Sequence, residues 1–225
     1  IKRFCDRAIW LNHGELVMDG DVLSVSEAYE AQMMNITSTY QASGGPPKKA
    51  PKPVSDADKA RKNVLEAVED GEVTTLVAAR VIDANGQNAR SVKIDTPCRI
   101  EIEFDVFKPD LRIEPALHFK NERNEMLFVV AYTDPAHPMA INAVGRHKLT
   151  MDIPPNLLNE GLHYVDISMV TADPLVRHQR VEKAISFSVY EVIGDTTKVA
   201  RGRYARGFPG GLRPRMNWKT ETIND

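Results

Sequence analysis

The sequence predicts a mainly β protein: an immunoglobulin-like or jelly-roll antiparallel β-sandwich, preceded by a short hairpin and helix. Three observations carry that expectation. From Val73 onward, short apolar runs follow one another with turn signals between them and no helical segment intervening. In Arg99–Phe107, Ile100, Ile102, Phe104 and Val106 alternate with Arg99, Glu101, Glu103 and Asp105, so one face is wet and the other is core. In Asn159–Val192, two runs of the same period are joined by a polar loop. His163, Val165, Ile167 and Met169 share a face with Ile185, Phe187 and Val189, while Tyr164, Asp166 and Ser168 oppose them with Ser186, Ser188 and Tyr190.

Taken in order, Ala8–Leu11 and Glu15–Met18 read as a hairpin closed by Asn12-His13-Gly14, with Asp19-Gly20 as a second turn. Ser24 followed by Glu27 is a capping-box signature, and Val25, Ala28, Tyr29 and Met33 continue a helix to about Asn35. Gln41–Val54 contains SGGPPKKAPKP, the composition of an extended, solvated linker. Ala57, Ala60, Val64, Ala67 and Val68 then form an apolar stripe, which predicts a helix over 55–70. Its basic start and acidic end oppose the helix dipole, so it needs docking to persist. The strands expected beyond it are Val73–Ile82, Cys98–Phe107, Ala116–Asn121, Met126–Thr133, His147–Ile153, the pair within Asn159–Val192, and a last one near Trp218. Turns are marked by Asn85-Gly86, Lys108-Pro109-Asp110, Asn121–Glu125, Asp134-Pro135, Pro154-Pro155 and Asn159–Gly161.

The 225 residues suffice for one sizeable domain plus a smaller piece. A net charge of −2 supplies no field that would steer the whole chain to nucleic acid or to an anionic membrane. Cys5 and Cys98 match no metal-ligand spacing and read as reduced thiols. No apolar run is long enough to span a bilayer, and no secretory signal opens the chain. Ile1 is not an initiator methionine, so a piece of a longer polypeptide is expected.

The polar row of the strand pair is the best binding surface in the sequence. Sequential strands usually pair. That brings Tyr164, Asp166 and Ser168 near Ser186, Ser188 and Tyr190, with His118 and Lys120 extending the row on a neighbouring strand. Sugars offer C–H faces for aromatic rings and hydroxyls for carboxylates and small polar groups, and an unmatched buried hydroxyl costs about 1–3 kcal/mol. The plain alternative is a solvated sheet face. Lys198–Lys219 carries seven basic residues interleaved with Tyr204, Phe208 and Trp218. It reads better as a Gly/Pro-rich loop than as a ligand site, and with no recognised binding motif beside it a nucleic-acid partner is not expected. No metal site is expected: His118, His137, His147, His163 and His178 lack ligand spacing. No catalytic residue is expected either. Glu101, Glu103 and Asp105 face no identifiable partner acid, and no G-x-S-x-G motif occurs.

The segment FCDRAIWLNHGELVMDGDVLSVSEAY, Phe4–Tyr29, resembles the last part of an ABC-transporter nucleotide-binding domain, of the type found in the ATP-binding subunits of bacterial O-antigen polysaccharide exporters. A second stretch is similar to the C-terminal carbohydrate-recognition domain of the same subunits. It runs over roughly Glu72–Trp218, on the motif G-x-x-x-x-x-M-D-I-P-x-x-L-L-x-x-G-x-H-Y-V and then F-x-V, with Gly145, Ile153, Pro154, Leu157, Leu158, Gly161, Phe187, Val189 and Trp218 as the matching residues. The resemblance implies three parts: 1–35, the end of the ATPase domain; 36–71, a linker; and 72–225, a carbohydrate-binding β-sandwich. It implies a non-catalytic fragment whose ATP and Mg²⁺ belong to the rest of the subunit, since no G-x-x-x-x-G-K-[ST] is present. It also implies O-antigen polysaccharide and a membrane-embedded exporter subunit as partners, a homodimer, and a peripheral place on the cytoplasmic face of the inner membrane. A dimerisation module with no glycan affinity is the competing function.

Overall fold

The computed structural model describes residues 5–34, 37–42, 66–67, 71–132, 141, 143–172, 174–192 and 208–222. Twelve strands and one helix are laid out among them. A two-stranded unit comes first: β1 (Arg7–Asn12) and β2 (Glu15–Asp21) pair antiparallel. His13 and Gly14 close the hairpin, both with positive φ, the geometry that matches the twist of two short strands. The expected turn at Asp19-Gly20 lies inside β2 instead. Helix α1 (Val22–Met34) follows at once. Its cap is Asp21 rather than Ser24: the Asp21 carboxylate accepts the backbone N–H of Leu23 and of Ser24 at 3.1 and 2.9 Å. Ala8, Trp10, Val22 and Val25 form a small core of their own, with Trp10 edge-on to Tyr29 at 5.6 Å.

The sandwich is two sheets. One has the order β10 (Gly145–Ile153), β7 (Cys98–Val106), β5 (Thr74–Ile82), β3 (Thr39–Gln41), all antiparallel. The other has the order β4 (Glu66–Ala67), β12 (Leu175–Tyr190), β11 (Gly161–Ala172), β8 (Ile113–Asn121), β9 (Met126–Ala131), with β6 (Ser91–Lys93) also on β12. β4 and β6 run parallel to β12, so the second sheet is not wholly antiparallel. The mainly β sandwich is as the alternation predicts. Phe104, Ile100 and Leu76 from the first sheet meet Phe119, Phe187, Ile167, Met169 and Ile185 from the second in one continuous core. Each such side chain contributes roughly 1.5–3 kcal/mol by leaving water.

Several boundaries differ from expectation. Thr39–Gln41 is an edge strand of the sandwich although it lies at the start of the stretch read as linker. Of the helix expected over 55–70, only Glu66–Ala67 are described, and they form β4; the rest of that stretch, with most of the linker, lies outside the described residues. Trp218 belongs to no strand. The 208–222 segment pairs with the loop between β10 and β11 through an isolated bridge from Leu212 to Leu158. It is nonetheless fixed at its start. Arg213 is buried in an ion pair with buried Glu191 at 3.2 Å and lies over the Phe208 ring, while the Asn159 amide donates to the carbonyls of Phe208 and Gly210.

The largest difference lies in the anchor pair. The loop expected between its strands shrinks to a tight connection, because β11 runs to Ala172 and β12 starts at Leu175. The alternation of β12 breaks at Lys183, which has φ +48 and sits where the register slips between Val165 and Ile167. Glu182, Lys183 and Ala184 stand there against Asp166 alone, and a one-residue slip follows where Met169 and Val170 face Gln179 and Arg177, so Leu175–Glu182 does not read as one strand with Ile185–Tyr190.

Candidate functional site

The register brings the predicted residues onto one face. Tyr164 stands opposite Ser186 on one side and Lys120 on the other, and Asp166 stands opposite His118. Alternation sends Tyr164, Asp166 and Ser168 away from the core, as expected.

Their accessibility is not as expected. Asp166 is 0 % exposed, and its oxygens are taken. One accepts from Lys120 Nζ at 2.7 Å and from Arg180 Nη2 at 2.8 Å; the other accepts the backbone N–H of Lys183 at 2.9 Å. Burial works against its ionisation, but Lys120, the Lys183 amide and Arg180 outweigh it and hold the carboxyl below its usual value. Asp166 is thus the anchor of the β12 bulge and the counter-ion of two cations, not a free acceptor for sugar hydroxyls.

The serines are occupied too. Ser188 donates to Glu30 of α1 at 2.8 Å, and Ser186 Oγ accepts the backbone N–H of Thr37 at 2.8 Å. Ser91, beside Ser188 on β6, donates to Glu27 at 2.7 Å. The helix and the chain after it therefore cover this end of the row. Tyr190 lies at the same end, half-buried, with burial and the charges of Glu27 and Asp95 raising its pKa. It forms no common platform with Tyr164. Ser168 is buried, and Lys120 nearly so.

What remains open is the other end. Tyr164 is half-exposed, with Lys183 Nζ 4.3 Å from its ring centre. His118 is half-exposed, and burial together with Arg180 lowers its pKa, so it is uncharged at neutral pH. Arg180 keeps 27 % of its side chain exposed. The open surface is an aromatic ring flanked by hydrogen-bond donors held in place by a buried carboxylate. Arg180 and Lys183 escape sequence reasoning because their stretch reads as part of the polar loop; the signal available was that Arg180 keeps the phase of Ser186 and Ser188.

On the opposite face, Glu101 is bound by Arg80 Nε at 2.7 Å and Lys148 Nζ at 2.9 Å, Glu103 by Arg80 at 3.3 Å, and Asp105 by a two-pronged contact from Arg146 at 2.8 Å. The Lys148 and Arg80 contacts lower the pKa of Glu101, and Arg146 lowers that of Asp105. A glycosidic acid needs its proton held at neutral pH. The carboxyls of Glu101 and Asp105 are held below their usual range instead.

No family model matches the chain, and no curated protein does. Among solved structures, the chain is similar to the C-terminal domain of Wzt, with a TM-score of 0.52 and 10% identity over 66% of this chain and 84% of that one. It shares that domain's fold. A second match is the CARDB domain of the PF1109 protein from Pyrococcus furiosus in complex with di-metal ions, with a TM-score of 0.33 and 10% identity, covering 55% of this chain and 97% of that one.

Proposed function

We propose that this chain is a non-catalytic glycan-recognition module of an ABC polysaccharide exporter's ATP-binding subunit, which couples O-antigen binding to export. The observation that carries the reading is the fold shared with the Wzt C-terminal domain, together with an ordered aromatic-and-donor surface on its six-stranded sheet. Residues 1–35 are then the end of the ATPase domain, 36–71 a linker that lends β3 to the sandwich, and 72–225 the recognition module. ATP and Mg²⁺ belong to the rest of the subunit, and the partners are the polysaccharide and a membrane-embedded exporter subunit. The place is peripheral, on the cytoplasmic face of the inner membrane; among the described residues no helix is long and apolar enough to cross a membrane.

Sugar C–H faces stack on Tyr164 in place of Lys183, while Arg180 and His118 supply polar contacts around the rim and Lys120 stays beneath them on Asp166. A central aromatic in such a patch carries much of the binding energy, on the order of 2 kcal/mol. Titration of a panel of O-antigen oligosaccharides is expected to give saturable binding, weakened at least about tenfold by Tyr164→Ala with the thermal midpoint unchanged. Binding that ignores Tyr164→Ala removes this surface; no binding by any member of the panel removes the glycan reading.

Trp218, 91 % exposed on an extended segment beside exposed Met216, favours a second reading, in which two copies pair through this stretch. Light scattering is then expected to report a dimer that Trp218→Ser converts to monomer. A monomeric parent chain dismisses it.

A further inference from the structure

A cleft of about 390 Å³ lies on the outer face of the four-stranded sheet, on the opposite side of the sandwich from Tyr164. Arg80 from β5, Arg99 and Glu101 from β7 and Lys148 from β10 line it, and Gln87 and Asn88 stand at its rim. The rim is built, not loose. The Asp83 carboxylate accepts the backbone N–H of Asn85 and of Gln87 at 2.9 and 2.8 Å, and Asp83 N–H donates to the Gln87 carbonyl at 2.9 Å.

The charges lining the cleft do not balance. Three cations line it with a single carboxylate, Glu101, which is shared between Arg80 and Lys148, while Glu103 just outside meets Arg80 alone at 3.3 Å. Arg99 is left over. It is half-buried, and among the described residues its guanidinium has neither an ion pair nor a hydrogen bond, although Asp152 stands opposite it in register. A half-buried guanidinium without an anion, in a polar cleft with two further cations, matches a planar oxyanion through its fork of N–H donors.

We infer that this cleft binds an oxyanionic group, with Arg99 as its principal ligand and Lys148 and Arg80 as flanking charges. The amide side chains at the rim favour a carboxylate on a hydroxyl-rich ligand, such as a uronic acid, over a bare anion. The inference stands apart from the glycan reading, because the cleft and the Tyr164 surface lie on different sheets.

The test is calorimetry or amide-shift titration of the whole chain with glucuronate, glucose and inorganic phosphate, at low and at physiological salt. The inference expects glucuronate or phosphate to bind, glucose not to bind, and the affinity to fall with salt. Arg99→Gln is expected to weaken the anion at least about tenfold, and Lys148→Gln, at an exposed position, to weaken it less. Tighter glucuronate than phosphate identifies an acidic sugar as the source of the oxyanion; the reverse order identifies a phosphate ester. Failure of both anions to bind, or binding that survives both substitutions, overturns the inference. If Arg99→Gln does not fold, Lys148→Gln and the salt series decide it. Because neutral oligosaccharide is titrated separately against Tyr164→Ala, loss of one result leaves the other standing.

Discussion

Asp166→Ala is expected to destabilise the protein by about 3–5 kcal/mol, the range for removing one partner of a buried charge cluster. The reason is the number of groups it leaves stranded. Lys120, with 11 % of its side chain exposed, and Arg180 would face each other without an anion, and the Lys183 amide would lose the acceptor that fixes a positive-φ bulge. Asp166→Asn retains an acceptor for the amide and loses the charge, so its cost should fall between those of the parent and Asp166→Ala. Urea unfolding at neutral pH measures both. The pair also separates structure from ligation. If Asp166 were chiefly a hydroxyl acceptor for a ligand, its removal would relieve an unneeded charge and leave the free protein as stable as before.

Acidification is expected to weaken the fold from about pH 6.5 downward, with the buried His163 ring as a contributor. This ring is 2 % exposed, packs at 5.8 Å against Phe187, and among the described residues has only the Gly161 carbonyl at 3.3 Å as a hydrogen-bond partner. Burial lowers its pKa from 6.5 to about 4. The sign follows from linkage. The unfolded chain takes up a proton near pH 6.5 while the folded chain resists until about 4, so stability is full above pH 6.5 and is lost as pH falls between those values. The slope is about 1.4 kcal/mol per pH unit, and the loss levels off at about 3 kcal/mol. Glu101, Asp105 and Asp166 carry lowered pKa values, so their ion pairs fail only in more acidic solution. His163→Leu should therefore lose less stability than the parent between pH 7 and pH 4.5. Equal losses for the two proteins would show that the ring is not held neutral.

Much of the sandwich was legible because its strands obey one period. Ile100, Ile102, Phe104 and Val106 announce β7, and Val165, Ile167 and Met169 announce β11, since a strand with one wet face must alternate. The short pieces were not legible. Thr39–Gln41, Ser91–Lys93 and Glu66–Ala67 are too brief to show a period, and they exist as strands only because β5 and β12 offer open edges for them to pair with. The site was half legible. Alternation placed Tyr164 and Asp166 on one face, with His118 and Lys120 continuing it on a neighbouring strand, and the register itself comes from the structure. It carried no information about what would cover the Ser186–Ser188 end, because Glu27, Glu30 and Thr37 reach it from more than a hundred and forty residues upstream in the case of Ser186 and Ser188. Nor did it show that the nearest counter-charges to Asp166 belong to its own chain. A row of polar side chains on a sheet face is thus a statement about direction, and their exposure is decided by distant contacts.

The most direct measurement is an amide-shift titration of the isotope-labelled chain with a neutral O-antigen oligosaccharide. Saturable shifts are expected at Tyr164, His118, Arg180 and Lys183, with Ser186 and Ser188 unmoved beneath α1 and the Thr37 segment. Saturable shifts centred instead on Arg80, Arg99 and Lys148, or the absence of shifts with every oligosaccharide offered, would contradict that expectation.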